Sequence, residues 1–149
     1  MKFFKTFFIF FLALLFVLSV NSCEDKSQLG SFNKVGTAEI FKKLIQGDDV
    51  QLLDFRLEAD FATGHIPGAI NIPATAQNAL FEDAPFYEEV LRKFDKTGPL
   101  FMYGGNDFIL EHLIPGYISK IGFGKSHTYI LSGGFDRWKA AFPEEIAFP

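Results

Sequence analysis

The residues able to do chemistry fall into a few short clusters. Asp54 and Arg56 close a compact apolar run, Val50 to Leu53, so a carboxylate and a guanidinium stand two residues apart where a buried strand ends. The carboxyl ends of strands are where open α/β sheets bind ligands. A second cluster, Tyr103-Gly104-Gly105-Asn106-Asp107-Phe108-Ile109, follows another apolar run and leads into a helix. The amides opening that helix favour an anion, and Asp107 can supply the negative charge itself as a cap. Asp54 and Arg56 have two readings. Either they line a ligand pocket beneath the loop, or Arg56 pairs with Asp60 or Glu58 while Asp54 takes backbone donors and fixes the turn.

The three histidines, His65, His112 and His127, have no spacing that suggests a shared metal site. Tyr103 reads as a core residue with a bonded hydroxyl or as a filler of the pocket mouth. Cys23 is the only cysteine. In an exported chain it is a free thiol, an intermolecular partner or a modified residue.

The elements that must position these groups alternate strand with helix. Thr37 caps a helix over residues 38–46, stopped by Gly47-Asp48-Asp49. The strand 50–53 follows, then a short helix over 58–63 ended by Gly64, and a strand over 69–72 closed by Pro73. Residues 75–81 read as helix or loop. Helix 86–94, with Pro85 in its first turn, precedes the near-continuous apolar strand Leu100 to Tyr103. A helix over 108–121 contains Pro115-Gly116, so a kink or break near Leu113 is expected. Strand 126–131 and helix 135–141 complete the pattern, and residues 143–149 read as a tail. Such alternation predicts a parallel three-layer α/β domain with right-handed crossovers.

The beginning of the chain stands apart. Lys2 and Lys5 flank a phenylalanine-rich apolar run to Val20, followed by Asn21-Ser22-Cys23, the pattern of an export signal. The run is also near the length of a bilayer-spanning helix, so an uncleaved anchor is the alternative. Val20-Asn21-Ser22-Cys23 resembles the lipobox of bacterial lipoproteins, which implies cleavage before Cys23 and lipidation of its sulfur. On that reading residues 1–22 are a signal, 23–32 a polar tether, 33–142 the domain and 143–149 the tail. The net charge is −4, and loss of Lys2 and Lys5 makes the balance more acidic. No basic stripe with interleaved aromatics appears, which argues against nucleic acid. The expected partners are the membrane, through Cys23, and an envelope protein or a small anion.

Three motifs in order resemble the rhodanese homology domain. Leu52-Leu53-Asp54-Phe55-Arg56 resembles its Leu-(Leu/Ile)-Asp-Val-Arg strand end. Residues 60–73, DFATGHIPGAINIP, resemble its Glu-Phe-x-x-Gly-His-Ile-Pro-Gly-Ala-x-Asn-Ile-Pro, and residues 131–138, LSGGFDRW, its closing Leu-x-Gly-Gly-Phe-x-x-Trp. The resemblance implies a three-layer α/β/α fold with a central, mostly parallel sheet. It also implies a loop after strand 100–103 whose cysteine carries sulfane sulfur as a persulfide to a thiol or cyanide.

Here the pattern departs at its chemical centre. Counting back from Gly122-Phe123, the cysteine's place falls on Gly104, the place of the substrate-holding arginine on Ile109, and that of the adjacent serine on Leu110. Persulfide transfer needs a low-pKa sulfur nucleophile, and glycine has no side chain. The expectation leans away from an enzyme: a non-catalytic binding or structural module, exported and lipid-anchored at the cell envelope, without a cofactor. Its candidate pocket or anion-binding residues are Asp54, Arg56, Tyr103, Gly104, Gly105, Asn106, Asp107, Phe108 and Ile109. The alternatives are a sulfurtransferase-related or other enzyme using a non-cysteine loop and a small-anion (sulfate- or thiosulfate-) binding protein.

Overall fold

The computed structural model describes residues 29–149; Cys23, the expected signal and most of the expected tether lie outside them. The elements are β1 (Asn33–Val35), α1 (Ala38–Leu44), β2 (Gln51–Asp54), α2 (Glu58–Ala62), β3 (Ile70–Asn71), α3 (Ala76–Ala79), α4 (Pro85–Lys93), β4 (Leu100–Tyr103), α5 (Leu110–Ile118), β5 (Thr128–Leu131) and α6 (Gly134–Ala141). The sheet has the order β1-β5-β4-β2-β3, and every pairing is parallel.

The short central strands are buried on both faces, as their unbroken apolar runs require. Leu53, Leu100, Met102 and Ile130 face one core with α3, α4 and α5. Leu52, Phe101, Tyr103 and Leu131 face the other with α1 and α6, around Phe41, Phe135 and Trp138. The result is three layers, helices on both sides of one sheet.

The structure departs from the sequence expectations at several places. Asn33–Val35 is a strand, β1, paired with β5 from Asn33↔Tyr129 to Val35↔Leu131. Residues 75–81 resolve into the short helix α3, because Thr75 and Asn78 form a reciprocal capping box. Residues 69–72 contribute only Ile70–Asn71 to the sheet, and residues 125–127 form a 3-10 turn before β5. No break falls near Leu113. The α5 helix runs through Pro115, and the chain turns at Gly122, whose φ of 133° suits glycine.

The chain ends of the domain are also docked. Leu29 packs against Gly116, and the Gly30 amide donates to the Gly116 carbonyl at 3.0 Å, so part of the expected tether belongs to the folded unit. Residues 143–149, the expected tail, are docked on the domain as well. His65 and Ala147 exchange two backbone hydrogen bonds of 2.9 Å, Lys42 pairs with Glu145, and the buried Trp138 indole donates to the Glu145 carbonyl at 2.9 Å. Truncation after Phe142 removes that acceptor. Leaving the indole unpaired should lower stability by about 1–3 kcal/mol, read as a fall in the urea midpoint; an unchanged midpoint would show that the segment contributes nothing.

Candidate functional site

The register of β2 on β4 sets Asp54 beside Tyr103 and so brings two of the sequence clusters together at one sheet edge. Asp54 is fully buried and Arg56 nearly so. The Arg56 Nε lies 3.1 Å from both Asp54 carboxylate oxygens, its Nη2 is 2.6 Å from Oδ2, and its backbone N–H donates to Oδ1 at 2.9 Å. The guanidinium also donates to the Gly64 carbonyl at 2.8 Å and, at the limit of range, to that of Asp60. Its Cζ lies 3.9 Å from the Phe135 ring centroid. Arg56 therefore pairs with Asp54, and not with the Asp60 or Glu58 carboxylate as the structural reading had it.

Asn71, which the sequence reading quoted only as part of a motif, locks the same corner. Its side-chain amide donates to the Asp54 and Arg56 carbonyls, both at 2.9 Å. The signal was present in that motif, but only the structure shows that one amide bridges two carbonyls of the turn.

Tyr103 does not fill a pocket mouth. It is completely buried, and its hydroxyl accepts from the Ile66 amide at 3.0 Å. Burial, and then the Asp54 carboxylate, push its phenol well above the ordinary range.

Gly104 follows β4 directly and is buried in turn. A Cβ built there would lie 2.2 Å from Cε2 and 2.5 Å from Cζ of Phe55. The ring of Phe55, itself 2% exposed, thus stands in the space a side chain at 104 would enter. From the other side α6 presses on the loop. The Phe135 amide donates to the Gly104 carbonyl at 2.9 Å, and Gly134, at φ +52°, leaves no room for a Cβ against that carbonyl.

The outer half of the loop is different. Gly105 is half-buried, whereas Asn106, Asp107, Phe108 and Ile109 are exposed. Asp107 caps α5: its Oδ1 accepts from the Ile109 and Leu110 amides at 2.9 and 3.1 Å. His112 has Nδ1 2.9 Å from the Phe108 carbonyl and Nε2 against the Lys34 ammonium.

His65 is buried and stacked on Phe61, with centroids 3.8 Å apart. Glu111, which the sequence reading passed over, has a buried Oε1 with no hydrogen-bond partner. Burial raises its carboxyl above the usual range despite the Gly133 amide and neighbouring cations. Among the described residues no cluster of three or more His, Cys, Asp or Glu could hold a metal ion.

A cleft of about 320 Å³ opens beside the loop, with Phe55, Arg56, Leu57, Asp60, Ala74, Thr75, Ala76, Gly105, Asp107 and Leu110 on its walls. Of the sequence candidates, Arg56, Gly105 and Asp107 reach it; Asp54, Tyr103 and Gly104 are beneath it in the core, and Cys23 lies outside the described residues.

This parallel sheet and loop geometry accompanies a match of residues 37–141 to the family model described as a rhodanese-like domain. The chain belongs to the rhodanese-like domain family. A curated relative, the thiosulfate sulfurtransferase GlpE of Ectopseudomonas mendocina (strain ymp), is 29% identical over 105 residues, 69% of this chain and 83% of the relative. Among solved structures, a rhodanese-like domain protein from Staphylococcus aureus is 22% identical with a TM-score of 0.53, covering 79% of this chain and 99% of that one. A Bacillus halodurans protein is 19% identical with a TM-score of 0.58, covering 78% and 77%. Within this rhodanese-like domain Phe55 stands where the family's strand-end motif carries valine.

The buried pair yields a direct test. Asp54→Asn leaves a buried guanidinium without its counter-charge and should cost about 3–5 kcal/mol of stability in urea unfolding. The double variant Asp54→Asn, Arg56→Met should recover a large part of that loss. A small single effect, or no recovery, would contradict a structural ion pair.

Proposed function

We propose that this rhodanese-like domain is non-catalytic and serves at the cell envelope as a binding module, exported and held to a membrane through lipidated Cys23. The observation that carries the reading is the Phe55 ring in the space a side chain at Gly104 would need. Sulfur transfer through a persulfide requires a thiolate at the loop. The chain's single cysteine is Cys23, outside the matched residues 37–141.

No other group on the loop takes the thiolate's part. Asp107 is a carboxylate with one oxygen engaged by two amides, and a negative charge there opposes an anionic sulfur donor. Arg56 is matched to Asp54 and to backbone carbonyls, so it lends no support to the sulfate- or thiosulfate-binding alternative. Ile109, exposed at the place of the family's arginine, supplies no positive charge. The catalytic alternative draws on the relative that carries a sulfurtransferase name, and activity decides between them.

With thiosulfate and cyanide, the chain should form no thiocyanate above blank; a rate that persists in Cys23→Ser would overturn the non-catalytic reading. Gly104→Cys alone should be inactive and less stable by about 1–3 kcal/mol, the usual cost of overpacking a filled site. Phe55→Val combined with Gly104→Cys should recover stability relative to Gly104→Cys. If Gly104→Cys is as stable as the parent chain, Phe55 does not close the site.

The anchoring has its own test. Intact mass of the membrane-extracted protein should equal the chain from Cys23 onward plus a lipid-sized increment. The mass of an unmodified chain would remove the lipid anchor and leave the loop argument intact.

A further inference from the structure

We infer that the domain meets the bilayer through one helical layer, that of α3, α4 and α5, with the exposed ring of Phe81 set into the lipid headgroups. The inference rests on the anchoring reading above and names the face that the anchor presents to lipid.

The point at which the chain enters the domain sets the face. Leu29 packs on Gly116 of α5, the Gly30 amide donates to the Gly116 carbonyl at 3.0 Å, and the Ser119 hydroxyl donates to the Ser31 carbonyl at 2.6 Å. Residues 29–31 are thus held against α5 and the turn after it. The residue steps from Cys23 to Leu29 span at most about 20 Å in any conformation. A domain of this size has a radius of gyration of about 14 Å and is therefore roughly 35 Å across. The tether is too short to bring the opposite layer, α1 and α6, onto the bilayer. A lipid on Cys23 therefore leaves α5 on the membrane side.

That side carries apolar surface close to the entry point. Phe81 is 69% exposed and Leu29 39%. Single exposed apolar residues are ordinary, but Lys120 connects these two. Its backbone nitrogen is 3.0 Å from where a Cβ at Gly30 would lie, and its ammonium is 2.6 Å from the Glu82 carboxylate. Phe81 stands next to that carboxylate in the chain. Tyr117 of α5 and Ile121 beyond it are half-buried and pack against the core of the same layer. The turn that carries Phe81 is already ordered, because its carbonyl accepts from the Ala84 amide at 3.0 Å.

Charge does not draw this face to anionic lipid, since Glu82 takes up Lys120 and Asp83 follows it. The contact is apolar, and a phenylalanine ring at the headgroup boundary removes surface from water as burial in a core does.

The experiment uses the lipidated full chain in phosphatidylcholine vesicles containing a lipid spin-labelled near its headgroup. A bimane fluorophore is attached to the thiol introduced by Asp83→Cys, beside Phe81, or by Lys139→Cys on α6. The lipid occupies the Cys23 sulfur, so each variant has one reactive thiol. The label of Asp83→Cys should be quenched, and that of Lys139→Cys should stay bright. Adding Phe81→Ala to Asp83→Cys should shift the domain away from the bilayer about tenfold, as loss of a large apolar side chain from lipid implies. Phe81 is exposed in the fold, so that substitution leaves the core intact.

Equal quenching at the two positions, stronger quenching at Lys139→Cys, or quenching of Asp83→Cys unchanged by Phe81→Ala would each overturn the assignment of the face and leave the anchor standing. Intact mass is read on the same sample. A chain without the lipid increment overturns the anchoring reading, and the face assignment falls with it.

Discussion

The ion pair between Asp54 and Arg56 is the interaction on which the corner of this domain depends. A buried charge is costly unless paired and hydrogen-bonded, and here the pairing is nearly complete. The carboxylate meets the guanidinium and the Arg56 amide, and the guanidinium reaches on to the Gly64 carbonyl. Its Cζ is also 3.9 Å from the Phe135 ring centroid, within reach of a cation–π contact. One side chain thus ties the end of β2 to the turn before β3 and to the first turn of α6. Nη1 is the least engaged of its nitrogens, 3.5 Å from the Asp60 carbonyl, and Arg56 is also one wall of the cleft.

The second constraint is volume. Asp54 and Tyr103 are partners in the register of β2 on β4, so the residues immediately after them, Phe55 and Gly104, emerge side by side. Two large side chains cannot both occupy that place. The larger comes from β2, and the glycine on β4 lets the ring pass within 2.2 Å of where a Cβ would be. Gly134 makes a matching concession on the far side, where α6 approaches the Gly104 carbonyl. At Gly104 the loop is held by packing from both sides.

Most of the architecture was legible in the sequence because the central strands are buried on both faces and read as continuous apolar runs. The exceptions share a physical cause. Asn33-Lys34-Val35 is an edge strand with one buried residue, and so carries almost no periodic signal. Residues 143–149 lack regular structure, yet they bind through backbone groups of Ala147 and Glu145, which sequence pattern does not encode. In the loop Asp107 was readable as a cap from its position before the helix. The partner of Arg56 was not readable, since Asp54, Glu58 and Asp60 are all within reach of a flexible side chain and only the turn geometry selects among them. The exchange of bulk between Phe55 and Gly104 was hidden for another reason: the residues are 49 positions apart in the chain and meet only through strand register.

That exchange also bears on the stability of the loop corner. A catalytic pocket is commonly a less stable arrangement than the packed alternative, because it holds open space and unmatched polar groups for a substrate. Replacing the valine of the family motif by Phe55 fills such space with a ring that is almost wholly buried, and full burial of a side chain of that size is worth about 1.5–3 kcal/mol. Here the ring packs on Gly104, the Arg56 guanidinium pairs with Asp54, and Phe108 and Ile109 stand exposed on the loop. The corner of the domain is thus held both by the buried ion pair and by the packing of Phe55 on Gly104.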